Sequence, residues 1–448
     1  MNCKIWLLNR PLCLLAGLLV AGGCLAQSDI KPAGSGPAKV ELRQVEGRWQ
    51  MYVDQRPFFI KGAGLESGNQ EQLAAAGGNS FRTWRTENGR EVLNRALKNG
   101  LFVTMGLDVK RERNGFDYSD PKAVARQLAG IKAQVLKYKD HPALLMWDIG
   151  NELNLNSHNP KVWDAVNDIS KMIHQVDRNH PTTTSLAGIS KTLVDQIKSR
   201  APDLDLLCVQ SYADIVNLPR ELHESGWDGP YAVTEWGATG HWECAKTDWG
   251  APIEDDGSVK ASLYNKRYEI AIASDKRNCL GSYVFLWGQK QERTPTWYGM
   301  FLPSGESTET VDVMQYVWTG RWPEFRSPRL QGFWLDGKTA KQNVHLNAGQ
   351  NYAAKVLAKS SDDALLTYSW EIMRESAAQS IGGDFEAPPQ RLPGLIAKGA
   401  DARAQFKAPS NPGAYRLFVY ASDSHGKAAY ANIPFYVDAN ISTIAIQR

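Results

Sequence analysis

The sequence predicts an α/β fold, with a (β/α)8 barrel over residues 40–322 and a smaller β-sandwich over 329–448. Three observations carry this expectation. Eight short apolar runs alternate with amphipathic stretches between Phe58 and Trp287, the pattern of strands each followed by a helix. Alternation this strict favours a closed barrel over an open doubly wound sheet. Beyond Val317-Trp318 the helical periodicity gives way to alternating strands and turn signals. The 448 residues suit that division, because a barrel of about 250 residues leaves room for one further module.

Residues 1–26 read as an export signal. Lys4 and Arg10 supply the positive start, and Leu12 to Val20 form an apolar core too short to span a bilayer. Small residues Ala21, Gly22 and Gly23 then precede Cys24. Two cleavage readings stand: cutting before Cys24 leaves a lipidated cysteine, and cutting after Ala26 releases a soluble chain. The anchored form is preferred, although Ala21 sits where such signals usually carry Leu. Either way the chain is expected in the periplasm or cell envelope, attached to a membrane only through a lipidated Cys24.

Residues 27–39, with Pro32, Gly34, Gly36 and Pro37, read as a flexible tether. Val40–Val53 alternates around a Glu46-Gly47 turn, predicting a hairpin that closes the bottom of the barrel. The barrel runs are Phe58–Ile60, Ser80–Trp84, Leu101–Leu107, Leu144–Ile149, Thr182–Leu186, Leu206–Tyr212, Tyr231–Trp236 and Ser282–Trp287. Amphipathic segments between them include Ala123–Tyr138, Lys161–Val176 and Ser258–Arg277, and the acids from Asp164 to Asp177 read as solvated surface. Pro323, Ser327 and Pro328 mark a linker. After it, Tyr352–Leu357, Thr367–Ile372, Ala414–Tyr420 and Ala431–Val437 alternate, predicting an immunoglobulin-like sandwich without the usual cysteine pair.

Composition narrows the function. A net charge of +3 with no Lys/Arg run argues against a nucleic-acid partner. Cys3, Cys13 and Cys24 lie in the signal, so Cys208, Cys244 and Cys279 remain, too few for a disulfide scaffold. Cys244 and Cys279 are a candidate pair in an oxidising compartment, with Cys208 buried on a strand. Histidines are scattered and no spacing resembles a metal site, so neither metal nor cofactor is expected. The 15 tryptophans exceed what the core needs, and their flat faces suit the C–H faces of sugars.

Active sites on this barrel lie at the C-terminal ends of the strands. The fourth run ends Trp147-Asp148-Ile149-Gly150-Asn151-Glu152, and the seventh ends Val233-Thr234-Glu235-Trp236-Gly237. Strands four and seven stand across the barrel from each other, so Glu152 and Glu235 are expected to face one another over its mouth. Cleaving a glycosidic bond needs such a pair: one acid protonated for the leaving oxygen, one ionised at the anomeric carbon. A lone Glu would more often cap a loop or pair with a surface Arg; two at these strand ends outweigh that reading.

These two motifs resemble the glutamate motifs of clan A glycoside hydrolases, with the barrel of family 2 the nearest likeness. The resemblance covers about residues 56–320 and implies that Glu152 is the acid/base and Glu235 the nucleophile of a retaining double displacement. Phe59-Ile60-Lys61-Gly62 is similar to the family's first-strand signature and Asn79-Ser80-Phe81-Arg82 to its second, which implies that Arg82 pairs with the nucleophile. By the same likeness Asn151 holds a sugar hydroxyl, Tyr212 hydrogen-bonds the nucleophile and Trp287 floors the subsite at the cleavage point. The chain departs from typical family 2 members in having only a short hairpin before the barrel. Families 5 and 72 share the clan and the glutamate pair.

Trp84, Trp147, Trp236 and Trp242 are expected to crowd the mouth, about half of them touching sugar. The segment Gly237–Gly257 is long enough to wall a cleft or to cover the rim, which makes His241 and Asp248 candidates. Asp108 and Glu66 are weaker candidates for substrate contact. The expected substrate is a β-linked oligo- or polysaccharide, cleaved or transferred. The alternative is a carbohydrate-binding protein that keeps the barrel without turnover.

Overall fold

The protein is seen in a computed structural model that describes residues 30–439, apart from 33, 35, 67 and 398–400. The export signal with Cys24 lies outside the described residues, as does the start of the tether. No helix among the described residues is long and apolar enough to cross a membrane.

The chain first forms a three-stranded antiparallel sheet, β1 (Val40–Val45), β2 (Arg48–Val53) and β3 (Arg56–Phe58), one strand more than the expected hairpin. Its Val40, Met51, Val53 and Phe58 share one apolar cluster with Phe102, Leu145, Leu206 and Tyr283, sealing the N-terminal end of the barrel. The barrel is closed and parallel, built of β4 (Ile60–Gly64), β5 (Ser80–Arg82), β6 (Phe102–Leu107), β7 (Leu144–Asn151), β8 (Thr182–Ala187), β9 (Leu207–Gln210), β10 (Tyr231–Glu235) and β11 (Cys279–Val284). All residues of β6 and β7 are buried, because helices cover one face and interior side chains fill the other.

Two barrel strands differ from expectation. Phe58 closes β3, and the first barrel strand is instead Ile60–Gly64, whose small residues carry no apolar signal. The Tyr283 ring demands them: a Cβ on Gly62 would stand 2.3 Å from a ring carbon. The last strand is Cys279–Val284, three residues earlier than its apolar run, so Phe285, Leu286 and Trp287 lie past its end at the mouth.

The outer helices follow their sequence signals. Lys161–Val176 buries Val162, Val166, Ile169 and Ile173, the stripe that a 3.6-residue period dictates. Asp120 caps the helix Pro121–Tyr138 with proline in its first turn, and Asp256 caps Gly257–Arg267 through two backbone N–H groups. Asp177, expected in solvent, is buried because it accepts hydrogen bonds from Trp147 Nε1 (2.8 Å) and the His180 ring.

The C-terminal region is two sheets on one core. The short β12 (Ser307–Thr308), still in the barrel region, pairs with the last strand of the chain. After it come β13 (Arg329–Leu335), β14 (Val344–Asn347), β15 (Asn351–Lys359), β16 (Thr367–Arg374), β17 (Arg403–Lys407), β18 (Gly413–Ser422) and β19 (Lys427–Asp438). One sheet runs β12-β19-β18-β16 with β14 beside β19, the other β13-β15-β17. Leu335, Val356, Ile372, Phe406, Leu417 and Phe435 fill the space between them. A buried polar joint adds to the β12–β19 pairing: Glu254 of the barrel accepts from Lys260 (2.5 Å) and from Asn432 of β19 (2.6 Å). Leaving any partner of such a joint unpaired would strand a charge away from water, so the two regions are firmly docked. Cys208, Cys244 and Cys279 are all free thiols, and the Cys244–Cys279 pairing is not formed; Cys279 starts β11 with its thiol turned to the Gly281 carbonyl.

Candidate active site

β7 stops where the chain turns through two left-handed residues, Gly150 (φ 79°) and Glu152 (φ 51°). Glycine is needed at the first, since a Cβ there would meet the Leu153 side chain at 2.7 Å. A left-handed glutamate is uncommon and costs on the order of 1 kcal/mol. It is held by its N–H, which donates to the Ser185 carbonyl at 2.8 Å. This turn delivers the Glu152 carboxyl into the barrel mouth, where burial leaves it 9% exposed.

Glu235, the last residue of β10, sits in a cage of donors. Its Oε1 accepts from Arg82 Nη1 (2.9 Å), Trp84 Nε1 (2.8 Å) and Gln210 Nε2 (3.0 Å), and its Oε2 from the Tyr212 hydroxyl (2.9 Å). Arg82, fully buried, turns its other nitrogen to Asp148 Oδ2 (3.0 Å) and Asn151 Oδ1 (2.9 Å). One guanidinium thus neutralises acids from two strands. Ser185 Oγ supports Asp148 at 2.7 Å. Burial pushes the Asp148 carboxyl up, an effect the Arg82 charge opposes.

The two glutamates sit in different electrostatic surroundings. Desolvation, and then the neighbouring charge of Glu235, raise Glu152 to about 7, against the pull of Arg111, Arg113 and Arg82. Glu235 has four donors on its oxygens, whereas loss of water is the largest influence on Glu152. Two carboxyls with unlike environments are what an acid and a base sharing one site require.

Both glutamates line a cavity of about 870 Å³ at the mouth. Asn151, Tyr212, Trp84 and His241 line it too, as do Glu66, Asp108 and Trp242. Arg82 stands one layer behind, reaching the cavity only through Glu235 and Asn151. Trp236 is misplaced by the sequence reading: it is fully buried against Tyr264 and Tyr268 and is no part of the wall. Trp147 is likewise buried. Trp287 borders the cavity without an open face, because its ring is packed between Phe301 and Trp318 and its Nε1 is tied to the Asn69 carbonyl. Phe285 and Leu286 supply apolar surface there instead. The segment after β10 divides: His241, Trp242 and Glu243 wall the cavity, whereas Asp248 pairs with His345 of the C-terminal region (3.2 Å).

Several wall residues were not foreseen. Gln210 is missed because a single glutamine carries no spacing signal. Arg111 follows β6, and its Nε donates to the Asn151 carbonyl at 3.0 Å. Lys290 and Glu292 pair at 2.6 Å on the rim, with His241 Nε2 3.6 Å from the same carboxylate. Ile381, Gly382 and Gly383 arrive from the C-terminal region, far along the chain from the barrel strands that carry the two glutamates. Among the described residues no cluster of three or more His, Cys, Asp or Glu is arranged to hold a metal ion.

No family model matches the chain, and no curated protein does. Solved structures do. The β-D-glucuronidase of Dictyoglomus thermophilum aligns with a TM-score of 0.50 at 16% identity, over 64% of this chain and 54% of that one. A calcium-binding mutant of Bacteroides uniformis β-glucuronidase 2 aligns with 0.49 at 12% identity, over 89% and 48%. The Bifidobacterium dentium β-glucuronidase gives 0.48 at 16%, over 63% and 49%. The chain therefore spans about half the length of these proteins, and the likeness to the first is one of fold.

Proposed function

We propose that this chain is a retaining β-glycosidase of clan A, of family 2 type, acting on β-linked glycans by double displacement. The observation that carries the reading is the caged Glu235 and the raised Glu152 on one cavity. Glu152 gives its proton to the glycosidic oxygen as the bond to the anomeric carbon breaks, and a Glu235 oxygen bonds to that carbon. Oε1 already serves three donors and Oε2 one, so Oε2 is the oxygen with a lone pair free to attack. Water, or a sugar hydroxyl, then attacks the same carbon, loses its proton to Glu152 and frees Glu235. Asn151 Oδ1 is taken by Arg82 and Gln210, which leaves its amide hydrogens for a sugar hydroxyl. Trp84 and Trp242 offer ring surface to the sugar.

Charge supports a neutral sugar. Eight acidic side chains line the cavity, against Arg85, Arg111 and Lys290. Arg85 is paired with Glu66 (2.8 Å), Lys290 with Glu292 (2.6 Å), and Arg111 has Asp384 at 4.0 Å, so each cation already has an acid beside it. The C-terminal region we read as an immunoglobulin-like sandwich, on the strength of two sheets sharing one core. Export and a lipid anchor at Cys24 rest on the signal-like sequence alone.

The test is Glu235→Ala. It should abolish turnover of an aryl β-glycoside, and azide or formate should restore cleavage with inverted anomeric configuration in the product. Undiminished activity in that variant refutes the assignment.

A further inference from the structure

Residues 376–386, between β16 and β17, reach across to the barrel mouth. Two arginines of the barrel grip this segment. Arg113 donates to the carbonyls of Ile381 and Gly382 (both 3.1 Å) and to Asp384 (3.0 Å). Arg293 donates to the carbonyls of Ala378 and Ser380 (3.0 Å to the latter). Glu386, only 5% exposed, accepts from Gln291, the Arg293 N–H and Ser376. Grips of this number on both sides of one turn are a docked element, not a surface loop at rest. At its tip Gly382, with φ 55°, lies so close that a Cβ would come within 2.7 Å of Glu152 Oε2. Leu155 and Arg113 crowd the same point.

We propose that residues 376–386 of the C-terminal region are a working part of the cleft, walling its leaving-group side and keeping water off the Glu152 carboxyl. This rests on the reading of Glu152 as the proton donor. A general acid lies beside the glycosidic oxygen, so whatever flanks it away from the nucleophile borders the departing group. The groups facing Glu152 are Glu235 from β10, Arg82 from β5, Arg111 and Arg113 after β6 and Tyr212 after β9, and Asp384 on the segment itself pairs with Arg113. The segment's backbone supplies cover without adding another charge at the point of closest approach. Arg113 and Arg293 are positioning residues, acting through the segment they hold.

The experiment is Arg293→Ala in the full chain, with Ile381→Ala as a second variant that trims the wall and leaves both grips intact. Two substrates with the same sugar are compared: an oligosaccharide, whose leaving oxygen needs a proton, and a 2,4-dinitrophenyl glycoside, which needs none. For Arg293→Ala, kcat/KM on the oligosaccharide should fall roughly tenfold or more, with less than about a threefold change on the dinitrophenyl glycoside. Its alkaline arm on the oligosaccharide should move about one pH unit lower as water reaches Glu152. Ile381→Ala should raise KM for the oligosaccharide with the alkaline arm in place. Equal losses on both substrates, or no loss on either, overturn the proposal while leaving the glycosidase reading intact. Wild-type protein inert toward every β-glycoside overturns that reading first.

Discussion

The Tyr212 hydroxyl donates to Oε2 of Glu235 at 2.9 Å, the only protein donor on that oxygen among the described residues. Burial holds the Tyr212 phenol well above its ordinary range, so it remains a donor throughout neutral pH. Its ring packs edge-on against Trp242, Phe285 and Tyr298. Tyr212→Phe keeps that packing and removes one hydrogen bond to a carboxylate, an interaction of about 1.5–3 kcal/mol. Steady-state kinetics should show a drop in kcat of roughly ten- to a hundredfold with the melting temperature nearly unchanged. An unaltered kcat would separate the tyrosine from the reaction.

Glu152 supplies a prediction independent of turnover. Its folded value of about 7 lies above the ordinary 4.5, so the folded state binds the proton more tightly than the unfolded chain. Stability linked to this group is therefore present at low pH, declines as pH rises from the unfolded value, and is lost above about 7. Glu152→Gln mimics the protonated form, so it should stabilise the protein by on the order of 2–3 kcal/mol at pH 8 and by much less at pH 4. Denaturant titrations at the two pH values measure the difference; equal effects would mean that burial is not what raises the group. In activity, the same substitution should remove the alkaline arm of kcat/KM.

What the sequence showed and what it hid divide along physical lines. Glu152 follows and Glu235 ends a fully buried strand, and acids at the ends of such strands stand out in one dimension. Ile60–Gly64 was hidden because its small residues serve the Tyr283 ring, a requirement set by a partner more than two hundred positions away. Trp236 and Trp287 look identical in sequence to Trp84 and Trp242, yet Trp236 is buried away from the cavity and Trp287 borders it with its ring packed shut, whereas Trp84 and Trp242 line it. The 376–386 segment left no local mark either, since Gly382-Gly383 reads as any loop. Its place in the cleft depends on docking between two regions, which no residue pattern in either one encodes.

Arg82 bears most of the electrostatic load beneath the site. It is fully buried between Asp148 and Glu235, and its removal would leave two acids in a dry interior without a cation. Arg82→Met should destabilise the fold by about 3–5 kcal/mol, read from chemical denaturation. Arg82→Lys should rescue little of the activity. One ammonium cannot reproduce the planar fork that reaches Glu235, Asp148, Asn151 and the Thr234 carbonyl together. A lysine variant with wild-type kcat would reduce the role of Arg82 to its charge.

Sugar charge offers a sharp test of the proposed substrate. A uronate carboxylate entering the cavity would meet a predominantly acidic wall, in which Arg85, Arg111 and Lys290 already have Glu66, Asp384 and Glu292 beside them to offset their charge. Moving a carboxylate from water to such a place without a free counter-charge is unfavourable by a few kcal/mol. Aryl β-glucosides, galactosides or mannosides should therefore exceed the matching β-glucuronide in kcat/KM by roughly a hundredfold or more. Lys290→Ala should widen the gap only slightly, because that lysine is already engaged by Glu292 at 2.6 Å. The measurement is a panel of nitrophenyl glycosides at one pH and ionic strength. A glucuronide turned over best, with Lys290→Ala or Arg85→Ala abolishing that preference, would mean that one of these ion pairs opens to receive the substrate and that the resting charge balance misleads.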